Sequence, residues 1–436
     1  MSGSAIGREF WVETYGRSHG DAVGAVIRGI PAGTRISCRA IQRELDRRRP
    51  GKGPAASARD EPDRLEVVSG ILRGRTTGGP VRLQVRNMDA RPAEYDEIVH
   101  KPRPGHADMG HLLKYGRIPV GGGRASGRET VGRVLAGAVA RQILCREGID
   151  ISGRIVEVGG KRTGHQRTIL AAKASKDSVG GIVEVVADGV PPGLGEPVFH
   201  GLDAELARAL MSIGSVKGVE IGSGFAAARS SGSRNNDAII VRNGRLATRT
   251  NNAGGILGGI SNGMPLVCRI AVKPTSSIGL EQDTVDVRTM RPAKLRIAGR
   301  HDTCICPRIL PVAEAMVAIV LLDQLWIARK EADPAVSNRG RNAALEDLRE
   351  RIRGTDGEMV RLIGQRMAIA DEIGKRKKAL GLPVRNLGAE RRVLANAGRA
   401  ARMAKVAQGI VKGLIEDLMA ESRRRQRKVV RKGRGR

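Results

Sequence analysis

Hydrophobic and polar positions change rhythm along the chain. Val81, Leu83 and Val85 alternate with Arg82 and Gln84, the two-residue period of a half-buried strand. Val131, Val134, Leu135 and Val139 recur at helical spacing, and Gly148 is placed to close that helix. Ile239 to Val241, Asn243-Gly244 and Leu246 read as a hairpin around a tight turn. Pro311 is the expected opening of a helix running to about Lys330, apolar enough to sit centrally in a core. Up to about residue 330, strands and helices mix without regular βαβ alternation. This is an α+β pattern, interrupted by the glycine-rich runs GGGRASG (121–127) and NNAGGILGGISNG (251–263).

The texture then changes. Residues 331–342, EADPAVSNRGRN, are polar with Pro, Ser and Gly and predict a linker. Leu345, Leu348, Ile352, Thr355, Met359, Leu362, Arg366, Ile369 and Ile373 follow in alternating steps of three and four, a heptad-like stripe on one long helix. Pro383 is expected to end it, with further helices at about 388–397 and 403–425. The expected organisation is one domain over 1–330, a linker over 331–342, a three-helix domain over 343–428 and a basic tail over 429–436. Within the stripe Arg366 is a misfit. A buried guanidinium is costly alone, so it requires an internal carboxylate or an anionic ligand. Lys377, 11 residues on, falls about 20° from the same face and roughly 16 Å away. Arg349 lies 17 residues before Arg366, about 25 Å along the axis. One straight helix cannot bring both arginines to a small ligand, so Arg349 would have to come from a second, antiparallel copy. Ser422 and Gln426 share a face at i, i+4.

Composition narrows the partners. The 436 residues carry a formal charge of +31, which calls for anions: nucleic acid, membrane phosphates or small polyanions. Only 2% are aromatic, which argues against single-strand readers that stack bases. The five cysteines (38, 145, 268, 304 and 306) show no CxxC spacing, so neither a disulfide framework nor a metal site is indicated. The most apolar run, Ala315 to Leu322, is too short for a bilayer, which needs about 20 residues. The N-terminus lacks a basic-then-apolar signal pattern, so a reducing cytoplasm and no membrane are expected.

Basic residues sit within or beside rigid glycine or proline segments: DRRRPG (46–51), RPGHAD (103–108), GGGRASGRET (121–130), KPTSS (273–277) and GRHD (299–302). Glycine lets backbone N–H groups approach phosphate, and arginine grips phosphate or carboxylate bidentately. His19, His106 and His301 lie in such segments and exchange protons near neutral pH. Together they point to proton-assisted chemistry on a phosphorylated acid.

The runs YGRSHG, LDRRRPG, RPGHAD, GGGRASGRETVGRV, GVPPGLGEPVF, LMSIGSVKGVEIG, NNAGGILGGISNG, KPTSSI and GRHD, in this order, resemble chorismate synthase over residues 1–330. The resemblance implies a β-α-β sandwich fold and a tetramer. It implies 1,4-elimination of phosphate from 5-enolpyruvylshikimate 3-phosphate (EPSP), using reduced FMN without net redox. By motif match, Arg48, Arg103, Arg128 and Arg300 would hold substrate anions, Arg48 also lying where NADP contact is assigned in the family. Arg124-Ala125-Ser126, Gly258 and Lys273-Pro274-Thr275-Ser276-Ser277 would cradle FMN, with Arg300 nearby. His19 would protonate the leaving phosphate, His106 would manage the proton of reduced flavin, and Asp302 would help remove the ring proton. NADPH is a candidate reductant of the flavin. The sequence departs from the family at Arg17, where Glu is usual, around Pro54, where an Arg is missing and Lys52 stands near, and at Gly214-Ser215.

Residues 343–428 resemble the all-helical class of chorismate mutase, through LRERIRGTDGEMVRLIGQRMAIADEIGKRK, PVRN, AER and SRRRQ. That implies a dimer in which Arg349 of one copy and Arg366 of the other bind the two carboxylates of chorismate. Lys377 and Gln426 would hydrogen-bond the ether oxygen, while Glu390 and Ser422 hold the hydroxyl and a carboxylate. Asn386 stands where Asp is usual, and Ala389 where Arg is usual. The leading expectation is a bifunctional enzyme. The alternative is an active synthase with a silent helical domain serving dimerisation or regulation. Nucleic-acid contact is confined to salt-sensitive binding by residues 423–436.

Overall fold

The computed structural model describes residues 3–50, 62–88, 98–242, 244–297, 302–332 and 334–431. Lys52, Pro54, Arg300 and His301 therefore lie outside the described residues. The chain forms two compact units, 1–333 and 334–436.

The first unit holds two antiparallel sheets. One contains β1 (Ala5–Ile6), β2 (Trp11–Gly16), β3 (Ala22–Arg28), β4 (Glu66–Ser69) and β5 (Val81–Arg86), in the order β1-β2-β3-β5-β4. The other contains β6 (Asp150–Val158), β7 (Gly181–Asp188), β8 (Val216–Ile221) and β9 (Leu266–Val272), in the order β8-β9-β7-β6. Alternation decides the faces: Val81, Leu83 and Val85 are fully buried, while Arg82 and Arg86 face out. On the second sheet Val183, Val185, Ala187, Cys268 and Ile270 line the inner face.

Helices fill the space between. The unit's helices include α1 (Cys38–Arg48), α2 (Asp108–Tyr115), α3 (Thr130–Arg146), α4 (Leu202–Met211) and α5 (Cys306–Ala332), of which α2 is largely exposed. α3 packs on β3, α5 on β6 and β7, and the two helices pack on each other, giving a sheet–helix–sheet sandwich. Two glycines permit this. A Cβ on Gly132 would lie 2.5 Å from the Gly24 carbonyl oxygen, and one on Gly137 would lie 2.3 Å from the Ala315 Cβ. α3 is thus pressed against strand and helix backbones at once. α5 is long and apolar enough to cross a membrane, but most of it is buried in this core. It starts at Cys306, five residues before the expected Pro311. Pro311 sits in the second turn, where its missing N–H forfeits one bond. Asp323 on α5 accepts the backbone N–H groups of Arg8, Glu9 and Phe10 at 2.8, 2.7 and 2.8 Å, tying the start of the chain to the end of the unit.

The hairpin at Ile239–Arg242 and Arg245–Thr248 forms as the turn chemistry predicts, with Gly244 at φ +73°. α3 ends at Arg146 and Gly148 adopts φ +78°, as expected.

The second unit is three helices: α6 (Pro334–Ala379), α7 (Leu387–Met403) and α8 (Gln408–Arg431). The expected linker is helical instead: 331–332 end α5, and Pro334 opens α6, a position that suits its fixed φ and missing N–H. α6 ends at Ala379, before Pro383, with Gly381 at φ +67°. Asn386 caps α7, its Oδ1 accepting the Ala389 N–H at 3.0 Å. α7 and α8 run further than expected, to Met403 and Arg431. The predicted stripe does not make this unit's core. Leu348, Ile352, Met359, Leu362, Ile369 and Ile373 remain 43–61% exposed. The face of α6 that meets α8 is instead Met367, Ala370 and Gly374, buried with Met419, Ser422 and Gln426.

Candidate active site

The first unit contains a cleft of about 670 Å³. One wall comes from the C-terminal turn of α1 and the approach to α3. Arg48, only 3% exposed, donates to Asp63 Oδ2 at 3.0 Å and to Thr130 Oγ1 at 3.2 Å. Arg128 donates to the other Asp63 oxygen, to Asn87 Oδ1 at 2.8 Å and to the Arg86 carbonyl at 3.2 Å. Burial works to raise the Asp63 pKa, but Arg48 and Arg128 win and hold the carboxyl below its ordinary value. Burial, with Arg308 beside it, pushes the Arg48 guanidinium down to about 10 despite Asp63.

The opposite wall is the 103–108 loop against residues 273–277. Arg103 forms a bidentate pair with Asp108 at 2.6 and 2.8 Å, which holds Asp108 below its usual range against the opposing effect of burial. His106 Nε2 is 2.9 Å from Ser277 Oγ. Lys273 donates to the Gly105 carbonyl at 3.0 Å and to Ser276 Oγ, and burial, reinforced by Lys217, lowers its pKa. His19 lies against Gly121, at φ +61°, where a Cβ would stand 2.2 Å from the imidazole Nε2. Asp302 is paired with Arg308, whose Nε donates to the Arg48 carbonyl at 3.3 Å.

His19, His106, Asp302, Arg48, Arg103, Arg124, Ala125, Ser126, Arg128, Lys273, Thr275, Ser276 and Ser277 all border this one cleft. Gly258 does not. It occupies the turn between Ile256–Leu257 and Ile260–Ser261. Pro274 falls between two lining residues without lining the cleft itself. Arg124 borders the cleft, but its guanidinium is spent inward on the carbonyls of Thr14 and Gly16 and the Ser4 hydroxyl, at 2.9–3.1 Å. Sequence reasoning missed Asp63, Asp108, Arg133, Lys217 and Arg308. Only the carboxylates in RDEPDR and GHAD, close to arginine-rich runs, carried a signal. Among the described residues, eight cations (Arg48, Arg103, Arg124, Arg128, Arg133, Lys217, Lys273, Arg308) meet four carboxylates (Asp63, Asp108, Glu129, Asp302) around the cleft, an excess of four positive charges. Among the described residues no cluster of His, Cys, Asp or Glu could hold a metal ion.

In the helical unit Arg366 finds neither a carboxylate nor full burial. It donates to Ser422 Oγ at 2.8 Å and the Leu418 carbonyl at 3.0 Å. Ser422 and Gln426 are more than nine-tenths buried, and Gln426 Oε1 has no hydrogen-bond partner among the described residues. Lys377 reaches the Val384 carbonyl at 2.6 Å. Glu390, at the start of α7, accepts from Arg423 at 3.0 Å, with Arg385 at 3.8 Å. Arg349 is exposed on α6, well away along the helix.

A sandwich whose loops gather arginines, a lysine and histidines around one deep cleft defines an enzyme acting on a small polyanion. Comparison with known proteins sharpens the class. The family profile for chorismate synthase matches residues 10–326, and that for chorismate mutase type II matches 348–427. Chorismate synthase of Methanococcoides burtonii is 47% identical over 352 residues, 74% of this chain and 96% of that protein. That of Oleidesulfovibrio alaskensis is 51% identical over 354 residues, 76% of this chain and 98% of that protein. A crystal structure of chorismate synthase superposes with a TM-score of 0.55 at 31% identity, covering 73% of this chain and 92% of the other. The chain belongs to the chorismate synthase family and carries a type II chorismate mutase domain after the synthase, so one polypeptide joins a lyase and an isomerase of aromatic amino acid biosynthesis.

Proposed function

We propose that the cleft eliminates phosphate from EPSP with reduced FMN bound beside it, and that the helical unit rearranges the resulting chorismate to prephenate. The excess of four positive charges around His19, His106 and Asp302 carries this reading. EPSP brings a phosphate and two carboxylates, which only convergent cations make favourable to bind. Arg48, Arg103 and Arg128 hold those anions. His19 protonates the departing phosphate, His106, held by Ser277, keeps the proton of the reduced coenzyme, and Asp302 assists removal of the ring proton.

The residues present fit a flavin nucleotide. Lys273 and Ser276 meet at Gly105, where a Cβ would fall 2.8 Å from Ser276 Oγ, and Ser277 pairs with the adjoining His106, so the loop backbone closes directly on these phosphate-type donors. Reduced FMN, when bound, lends electron density that eases phosphate departure and recovers it with no net redox. NADPH is the proposed reductant of the flavin, with Arg48 the cleft residue proposed to contact it. Anaerobic assay of EPSP with chemically reduced FMN should release phosphate and chorismate together. No release would overturn the reading, and NADPH in place of the chemical reductant reads self-reduction.

For the mutase, catalysis is conformational restraint plus electrostatics, since the rearrangement is unimolecular. Arg366 and Arg349 of a second copy take the carboxylates, Lys377 and Gln426 the ether oxygen, and Glu390 and Ser422 the hydroxyl and a carboxylate. The unpartnered Gln426 Oε1 and the exposed apolar stripe of α6 support a site completed by substrate and by a second copy. A homo-oligomer, with a dimeric helical unit and a tetrameric synthase, follows. The cytoplasm is the proposed compartment, in keeping with the five free cysteines. A silent helical domain is the second reading, favoured by Ala389, which stands where an arginine is usual and brings no charge of its own. Prephenate accumulating behind chorismate separates the two.

A further inference from the structure

We infer that Asp63 is a positioning residue for the synthase reaction: its carboxylate locks Arg48 and Arg128 into one fixed anion receptor. The inference deepens the synthase reading and rests on it.

Asp63 is 1% exposed and sits at φ +42°, a backbone conformation that a non-glycine residue rarely adopts. Both carboxylate oxygens are committed, Oδ2 to Arg48 and Oδ1 to Arg128. Each guanidinium is then fixed from a second side. Arg48 is fixed by Thr130 Oγ1 and the Gly127 carbonyl, and Arg128 by Asn87 Oδ1 and the Arg86 carbonyl. With the planes fixed, the remaining N–H groups have one direction to point. Arg48 Nε is buried and donates to nothing among the described residues. A buried donor that stays unpaired costs free energy unless a ligand accepts from it.

The local charge balance points the same way. Among the described residues, Arg48, Arg128 and Arg308 crowd together with Asp63 and Asp302 as their carboxylate partners, three cations to two anions. Without Asp63 the arginines would repel one another and swing apart. With it they present a rigid pair whose reorganisation is already complete before substrate arrives.

Asp63→Asn keeps the shape, but its amide turns a donor toward one arginine and releases it. The experiment measures steady-state kinetics of EPSP with reduced FMN, inhibition by inorganic phosphate, and melting temperature. The expected result is a KM for EPSP raised tenfold or more, inhibition by phosphate weakened in parallel, and kcat within about threefold of the parent. A structural role alone would lower the amount of active enzyme and leave KM unmoved. Asp63→Glu, which keeps the charge but displaces both arginines by a methylene, carries the test if Asp63→Asn does not fold, and should raise KM in the same sense. A folded variant with the parental KM and parental phosphate inhibition overturns the inference. A parent that fails to turn over EPSP overturns the underlying reading instead, so the two failures are distinguishable.

Discussion

Gly121→Ala tests whether the position of His19 matters to the chemistry. The added Cβ would stand 2.2 Å from the imidazole Nε2, and the ring must retreat by about 1.3 Å to regain an ordinary ~3.5 Å separation. Gly121 also has φ +61°, so any side chain there adds roughly 1–2 kcal/mol of backbone strain. Gly122→Ala supplies the control. It sits at φ +79° and carries the same kind of strain, but its Cβ would meet nothing closer than the Ser126 Cβ at 3.7 Å. A misplacement of about 1 Å at a proton donor costs on the order of 100-fold in rate, or about 2.7 kcal/mol. Under anaerobic turnover of EPSP with reduced FMN, Gly121→Ala should therefore lose about two orders of magnitude in kcat. Gly122→Ala should stay within about fivefold. Equal kcat values for the two variants would refute a role for His19 in proton transfer.

Further expectations follow from the same geometry. Arg366→Ala should lower mutase kcat/KM roughly 10- to 150-fold, the effect of losing about 1.5–3 kcal/mol of charged hydrogen bonding. Synthase turnover in the same preparation should be unchanged. Ala389→Arg, which restores a cation two residues from the first helical position of α7, should raise mutase kcat/KM, and an unchanged value would detach that position from substrate binding. Asp63 and Asp108 titrate below their ordinary range in the fold. Their stabilisation is therefore complete above the unfolded carboxylate value of about 3.9 and is lost as pH falls through the depressed folded values. Melting curves from pH 6 down to pH 3 should show this acid limb, shallower in Asp108→Asn.

What the sequence reveals depends on the range of the forces involved. Strand alternation at Val81, Leu83 and Val85, and the close of α3 at Gly148, are local and read directly. The cleft-lining His19, His106, Arg48 and Lys273 lie far apart in the chain and were legible only through their motifs. Asp63 escaped because a carboxylate in a polar run looks solvated until two distant arginines close over it. The linker failed for another reason: Pro and Ser mark breaks by composition, yet Pro334 also suits the first turn of a helix. The stripe on α6 has correct spacing, but a single copy of the chain buries the neighbouring face instead, so periodicity alone does not say which face packs within one copy.

The bonds from the N–H groups of Arg8, Glu9 and Phe10 to Asp323 cannot form until nearly the whole first unit has been synthesised. Residue 323 leaves the ribosome roughly 15–60 s after residue 10, at ~5–20 residues per second. Until then the inner face of the second sheet lacks the helix that covers it, while α3, made earlier, already has β3 to pack on.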